Sequence, residues 1–349
     1  MKGETVKSGG ILKSIRTTGL QKLLALGSLV ILYAFFAIVG RNFFSLETLV
    51  NILSQGYYIV FLALGVTFII ITGGIDLSCG TVMMCAALFG AQAYEKWHWP
   101  IGAALALVIL VGIAFGFFNG ILVAKLKLPP FIATLGTMMV SMGLGAIVTN
   151  VITLHYPTVG QPDAWFKTLF YLTEDRFPIG AVWTAAFACI FFILLNKTRL
   201  GRYTFAIGSN EEATRLSGVK VDRWKIAVYT LGGFTTGLAA IMWVCAYTSP
   251  VPNTGAGVEL LAIAGAVIGG TSLMGGLGSI VGSVIGVYIM ALLKPGLMSV
   301  DLQPHWQNFF TGIVVIGAVL LDNYRNKRAN VVKAEIKARQ ASKQEKNKA

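Results

Sequence analysis

Long apolar stretches, separated by short polar segments, set the pattern of this chain. Most run for about 18–24 residues, the length that a helix needs to cross the hydrocarbon core of a bilayer. They cover residues 22–40, 49–72, 77–94, 100–124, 130–153, 179–196, 225–248, 258–272, 279–298 and 306–322. A transmembrane β-strand would alternate polar and apolar residues over about ten positions, and these stretches do not. The pattern therefore predicts an all-α polytopic membrane protein with about ten transmembrane helices.

Composition and charge sharpen this prediction. Only 12% of the residues are charged and 55% are hydrophobic, whereas a soluble protein carries about 25% charged residues. If the N-terminus is cytoplasmic, 23 of the 28 lysines and arginines fall in the segments expected inside, as the positive-inside rule requires. We therefore expect both termini in the cytoplasm, with an N-terminal segment at 1–21, a transmembrane domain at 22–322 and a basic tail at 323–349.

The net charge of +13 does not indicate a nucleic-acid partner, because topology and attraction to anionic lipid explain it. The cysteines show no C-x-x-C spacing and the histidines are scattered over separate outside segments, so we expect no metal, no cofactor and no catalytic group. These residues are Cys79, Cys85, Cys189 and Cys245, and His98, His155 and His305.

Glycine recurs at every fourth position in two of the apolar stretches. On a helix this spacing makes a smooth groove that a second backbone can approach, which predicts close helix packing. The two runs are Gly112, Gly116 and Gly120, and Gly278, Gly282 and Gly286.

Two acidic residues lie near the ends of apolar stretches. Asp76 follows Gly73-Gly74, and we expect it to be the N-cap of the next helix, with Ser78 in its first turn. It either shapes a tight turn or marks a broken helix that lines a pathway. Glu259 follows a loop rich in helix breakers; it either complements a helix dipole or faces the outer mouth of a pathway.

Four segments in order carry a resemblance to a known family. They are Gly73-Gly74-Ile75-Asp76-Leu77-Ser78, the run from Pro130 to Gly136, the basic loop from Lys197 to Gly218, and Gly269-Gly270-Thr271-Ser272-Leu273. Together they resemble the permease subunits of bacterial ABC importers for monosaccharides, the ribose/galactoside/xylose group, over about residues 20–322.

The resemblance implies a homodimer in the bacterial inner membrane, a cytoplasmic ABC ATPase and an extracytoplasmic sugar-binding protein. The chain has no Gly-x4-Gly-Lys-Ser/Thr loop, so under this reading ATP hydrolysis takes place on another subunit and the chain itself is not an enzyme. The loop at about 197–225 would couple to the ATPase through a short helix that glycine ends. Its site residues would be Arg199, Arg202, Glu211, Glu212, Ala213, Arg215 and Gly218.

Transport would then proceed by alternating access, with the binding protein selecting the sugar. A sugar needs hydroxyl, amide and backbone partners rather than charges. The expected pathway residues are Asp76, Ser78, Asn119, Thr134, Ser141 and Glu259, with Phe131 as a gate or an ordinary packed aromatic. The alternative is an ion-coupled secondary transporter, for which Asp76 and Glu259 are the candidate coupling groups. The sequence leaves the identity of the sugar open.

Overall fold

The computed structural model describes residues 23–172, 177–303, 305–317, 319–320 and 324. The predicted segment 1–21 and, apart from Tyr324, the predicted tail 323–349 lie outside the described residues. The described residues form helices joined by short connections. The helices are α1 Leu23–Val39, α2 Leu46–Ile71, α3 Cys79–Glu95, α4 Ile101–Ala124, α5 Pro130–Thr149, α6 Trp165–Phe170, α7 Ile179–Lys197, α8 Arg199–Ser209, α9 Glu211–Leu216, α10 Val221–Tyr247, α11 Val258–Ile268, α12 Ile280–Ser299 and α13 305–317.

Within the described ranges, six helices are long and apolar enough to cross a membrane, namely α2, α4, α5, α7, α10 and α12. The all-helical membrane fold is therefore confirmed. The other four predicted stretches each contain a helix within the described residues. The clearest difference is α11, which ends at Ile268 although the stretch was predicted to run to residue 272. Gly270 has a φ of +97°, a backbone conformation that glycine adopts freely, and the chain turns there.

Local chemistry explains where the long helices begin and end. Ser45 caps α2, because its hydroxyl accepts a hydrogen bond from the backbone N of Thr48. The helix ends just before Gly73, whose φ is +78°. Proline at the first position starts α5, where its fixed φ suits the helix and its missing N–H costs nothing.

The core lies around α2, in which every residue from Ile59 to Ile71 is buried. Helices α7, α10, α11 and α12 all pack against it. The glycines of α4 face α10: a Cβ added at Gly112 would lie 2.5 Å from the carbonyl oxygen of Gly233 and 2.8 Å from the nitrogen of Gly237. In the second run, Gly282 and Gly286 of α12 face Gly269 and Gly265 at the end of α11, whereas Gly278 precedes α12 and lies against the side chains of Ile71 and Thr271. Except at Gly278, the fourfold glycine spacing thus lies where two helix backbones approach closely.

Candidate functional site

The connection between α2 and α3, residues 72–78, is an irregular segment in which Thr72, Gly74, Asp76 and Ser78 are buried. The expectation that Asp76 caps α3 is wrong, because the N-cap is Ser78 and its side chain makes no capping bond. Asp76 lies two residues earlier and accepts from Ser78 twice, from the backbone N at 2.8 Å and from the hydroxyl at 2.6 Å. A short acidic side chain that bonds the backbone two residues onward builds a turn ahead of the helix instead of capping it.

Asn119 of α4 joins this turn. Its amide nitrogen donates to the Ser78 hydroxyl at 2.9 Å, so three residues singled out in the sequence meet in one buried chain of hydrogen bonds. The amide oxygen of Asn119 has no partner among the described residues. Sequence reasoning missed Tyr229, a buried side chain of α10 whose hydroxyl donates to the carbonyl of Ile75 at 3.3 Å.

Of the pathway candidates on α5, only Ser141 is connected by hydrogen bonds to the turn before α3. The Ser141 hydroxyl lies 2.8 Å from the Thr81 hydroxyl, and Thr81 donates to the carbonyl of Ser78, so Ser141 is connected to the same turn. Thr134 is buried, but it bonds to the carbonyl of Pro130 in its own helix and is not connected to the turn. Phe131 is 53% exposed on the described chain.

Glu259 connects the start of α11 to the start of α3. It is buried in the first turn of α11, and its carboxylate oxygens lie 2.9 and 3.0 Å from the backbone N of Gly257, which donates to them. This turn lies against the start of α3, where a Cβ at Gly80 would lie 2.5 Å from the carbonyl of Gly255. The N-termini of α3 and α11 therefore meet, each with a buried carboxylate close by. A helix N-terminus carries partial positive charge, which favours this placement of acids.

Two glycine-rich breaks, at Gly73-Gly74 after α2 and at residues 269–276 after α11, touch each other at the C-terminal end of α2. The backbone N of Gly276 donates to the carbonyl of Ile71 at 2.8 Å. Gly208 of α8 lies against both, because a Cβ added there would collide with the Ile71 carbonyl and lie 2.5 Å from the nitrogen of Gly276. Helix α8 is therefore in direct backbone contact with both breaks.

The basic loop folds into α8 and α9. Asn210 caps α9, accepting from the backbone N of Ala213 at 2.9 Å. Helix α9 ends at Leu216, and Gly218, with a φ of +84°, takes the left-handed conformation that ends many helices. The short helix that glycine ends is thus present at the predicted place.

Ion pairs fix α9 to its surroundings. Arg215 pairs with Glu211 at 3.3 Å and with Asp222 of α10 at 2.9 Å. Glu211 also pairs with Lys225, and Asp222 with Lys127. Burial by itself would raise the pKa of Glu211, but the two cations more than offset this and hold its pKa below the ordinary value of 4.5.

Sequence reasoning missed three members of this network, Asp222, Lys225 and Lys127. The signal available was that Asp222 is the only acid among the bases between residues 215 and 225. In contrast, Arg199 and Arg202 are exposed and have no ion-pair partner in the part of the chain that the structure describes. Within the part of the chain that the structure describes, there is also no group of three His, Cys, Asp or Glu residues that could hold a metal ion.

These features define a helical membrane protein with irregular segments in its core and a structured basic loop. Residues 48–319 match a protein family described as "Branched-chain amino acid transport system / permease component", and the chain belongs to this family.

Curated relatives are similar over most of their length. The ribose import permease protein RbsC of Escherichia coli (strain K12) is 38% identical over 85% of this chain and 92% of its own. The fructose import permease protein FrcC of Rhizobium meliloti is 33% identical over 85% of this chain and 84% of its own. The autoinducer 2 import system permease protein LsrC of Yersinia pseudotuberculosis is 33% identical, over 85% and 83%. A solved structure of an ABC transporter described as metal-chelate type has a TM-score of 0.47 at 15% identity, over 86% of this chain and 99% of its own.

The family membership confirms the main functional prediction. The chain is the permease component of an ABC importer in the bacterial inner membrane, and ATP hydrolysis takes place on a separate subunit. It is a transport component, and the secondary-transporter alternative is not supported. An ATPase and a binding protein are the partners that this class implies.

Proposed function

We propose that this permease translocates a monosaccharide, delivered by an extracytoplasmic binding protein, by alternating access in a homodimer. Two of the relatives named above import ribose and fructose, which supports the sugar class. The buried groups around the α3 turn support it too, since hydroxyls and an amide outnumber charges there. The proposal includes ten spans within residues 22–322, with the segment 1–21 and the tail 323–349 in the cytoplasm.

The observation that carries the mechanism is the position of Gly208. Helix α8 touches both glycine breaks through this residue, and α9 follows α8 after the single residue Asn210. A displacement of α9 is therefore transmitted through α8 to two places: the C-terminal end of α2 at Ile71, and the loop before α12 at Gly276. In our proposal, closure of the ATPase dimer pushes the loop at 197–225 and the two broken helices respond together.

The exposed face of α9 fits a docking role. Leu216 is 84% exposed, and Glu212 and Ala213 beside it are exposed as well. Their neighbours Glu211 and Arg215 are held by ion pairs, so the helix presents this face rigidly. Arg199 and Arg202, which lack acidic partners within the described residues, are available to acids of the ATPase. Gly218 permits the sharp turn after α9.

For the pathway, we propose the connected group formed by Asp76, Ser78, Asn119 and Ser141, together with Glu259 on the second broken helix. Irregular backbone inside a membrane protein is tolerated where it lies within protein or beside a water-filled path. The segment 72–78 meets this condition. We propose Phe131 as a gate residue and Thr134 as a further pathway residue.

The test is co-purification in mild detergent from cells that contain the whole importer. A tagged chain should bring down a stoichiometric P-loop ATPase, with two permease copies in the complex. We expect Glu212→Arg and Leu216→Ser to abolish this association, because they alter the exposed face of α9. The matched control is Glu47→Arg, an exposed acid in the first turn of α2. If the α9 variants retain the ATPase as the control does, α9 is not the docking helix.

A further inference from the structure

A basic pocket of about 510 Å³ lies between the start of α8, the segment after α9 and the start of α10. We propose that this pocket binds the headgroup of an anionic phospholipid of the inner membrane. The site goes beyond the proposed transport function, since it depends neither on the identity of the sugar nor on the docking of α9. The charge distribution predicts this end of the bundle to be cytoplasmic.

Three cationic side chains from three parts of the chain line the pocket. They are Arg199 at the first position of α8, Lys220 just before α10, and Arg223 in the first turn of α10. None of these side chains has a hydrogen-bond or ion-pair partner among the described residues, and no carboxylate is among the described residues of the lining. Cations that share one concave site repel one another, so an anion bound between them is favoured.

The neighbouring bases differ, because acids of the chain neutralise them. Arg215 pairs with Asp222 at 2.9 Å, and Lys225 pairs with Glu211. Asp222 and Arg223 are adjacent in α10 and therefore point about 100° apart around the helix. The acid contacts the ion pairs of α9, whereas the arginine lines the pocket. The positive charge without a counter-ion is thus concentrated on one side of the loop.

Two aromatic side chains line the pocket beside the cations. The rings of Tyr203 in α8 and Trp224 in α10 have centroids 4.8 Å apart, and both residues are half-buried. Neither the tyrosine hydroxyl nor the indole N–H has a hydrogen-bond partner within the described ranges. Tyrosine and tryptophan are enriched where a membrane meets water, because their rings are apolar and their polar tips bond to headgroups or water.

The depth of the pocket distinguishes a lipid from a soluble anion. Helix α8 follows directly on α7, and both α7 and α10 are long and apolar enough to span a membrane. The lining extends from Ser217 in the loop to Ala227, six residues or about 9 Å into α10. A phosphate at the level of Arg223 would leave the glycerol and upper acyl chain beside Ala227 and Trp224. Basic pockets between spans on the cytoplasmic side commonly bind anionic headgroups.

The test measures lipid binding to the full-length purified chain by native mass spectrometry. Phosphatidylglycerol is the anionic probe, and zwitterionic phosphatidylcholine is the comparison that the wild type should bind more weakly. Lys220→Gln and Arg223→Gln should each weaken phosphatidylglycerol binding about fivefold, and the double variant about 25-fold. The matched control is Lys125→Gln, which removes an exposed base at the end of α4 outside the pocket and should keep the wild-type affinity.

The substitutions separate binding from folding. Lys220 and Arg223 are exposed and have no side-chain partner among the described residues, so both variants should unfold at the wild-type temperature when phosphatidylglycerol is absent. Arg199 stays unchanged in the test, because the proposed function assigns it to acids of the ATPase. If the two pocket variants bind phosphatidylglycerol as the control does, or if phosphatidylcholine binds the wild type equally well, the proposal is wrong.

Two further arms identify other occupants. If inorganic phosphate displaces the lipid and chloride at the same ionic strength does not, the pocket recognises a free anion and the lipid proposal fails. If assembly with the ATPase releases the lipid, acids of the ATPase occupy the pocket; the lipid proposal then fails, while the proposed function stands. Lipid that stays bound in the assembled importer supports the site.

Discussion

Replacing Gly112 by alanine tests the close packing of α4 on α10. The added Cβ would lie 2.5 Å from the carbonyl oxygen of Gly233, 2.8 Å from the nitrogen of Gly237 and 3.0 Å from its Cα. All three atoms belong to backbone, so no side chain can rotate away. Reaching an ordinary contact of 3.4 Å requires the helices to separate locally by about 0.9 Å.

The size of the effect follows from two opposing contributions. Alanine in a helix is favoured over glycine by about 1 kcal/mol. Overpacking of a tight interior costs about 1–3 kcal/mol, and a gap of about 0.5–1 Å forfeits a quarter to a half of the dispersion energy of the contacts that it opens. Because the contact repeats at Gly116, the strain spreads along the interface, and we expect a net loss of about 1–2 kcal/mol.

Thermal unfolding of the purified complex in detergent, followed by tryptophan fluorescence, measures this difference. The matched control is Gly143→Ala in α5, an exposed helical position where an added Cβ meets nothing within 4 Å. We expect the control to unfold at the wild-type temperature or slightly higher, since alanine stabilises a helix there by about 0.5–1 kcal/mol. If Gly112→Ala behaves like the control, the backbones of α4 and α10 do not approach as closely as described.

Three further predictions concern the turn and the loop. Ser78→Ala should lower the unfolding temperature, because the amide nitrogen of Asn119 is then left buried without its acceptor, at a cost of about 1–3 kcal/mol. Glu211 has a pKa held below 4.5, so its pairing with Lys225 stabilises the loop above that pH and is lost as the pH falls through the lowered pKa. The protection factors of the α9 amides, which are exchange rates corrected for the intrinsic pH dependence, should therefore be steady from about pH 7 to 5 and fall below. Gly208→Ala should leave the ATPase bound but stop sugar uptake, and normal uptake would contradict the transmission route.

Much of the architecture could be predicted from local sequence. Each predicted apolar stretch contains a helix, because hydropathy and length decide whether a segment can lie in lipid. The helix break at Gly73 could be predicted too, since glycine adopts a positive φ without strain, whereas the turn at Gly270 lies inside the stretch predicted to run to residue 272. Local signals were less reliable for boundaries: α11 is shorter than predicted, and Ser78 rather than Asp76 caps α3.

A helical membrane permease, the position of its basic loop and the helix break at Gly73 follow from local sequence, because composition, glycine and charge act within a few residues. Which breaks meet and which polar groups find partners depends on how distant segments pack. Asn119 reaches Ser78 across 41 residues of sequence, and Glu259 lies beside Gly80. Hydrogen bonding depends on atoms within about 3 Å, and packing of distant segments sets those distances.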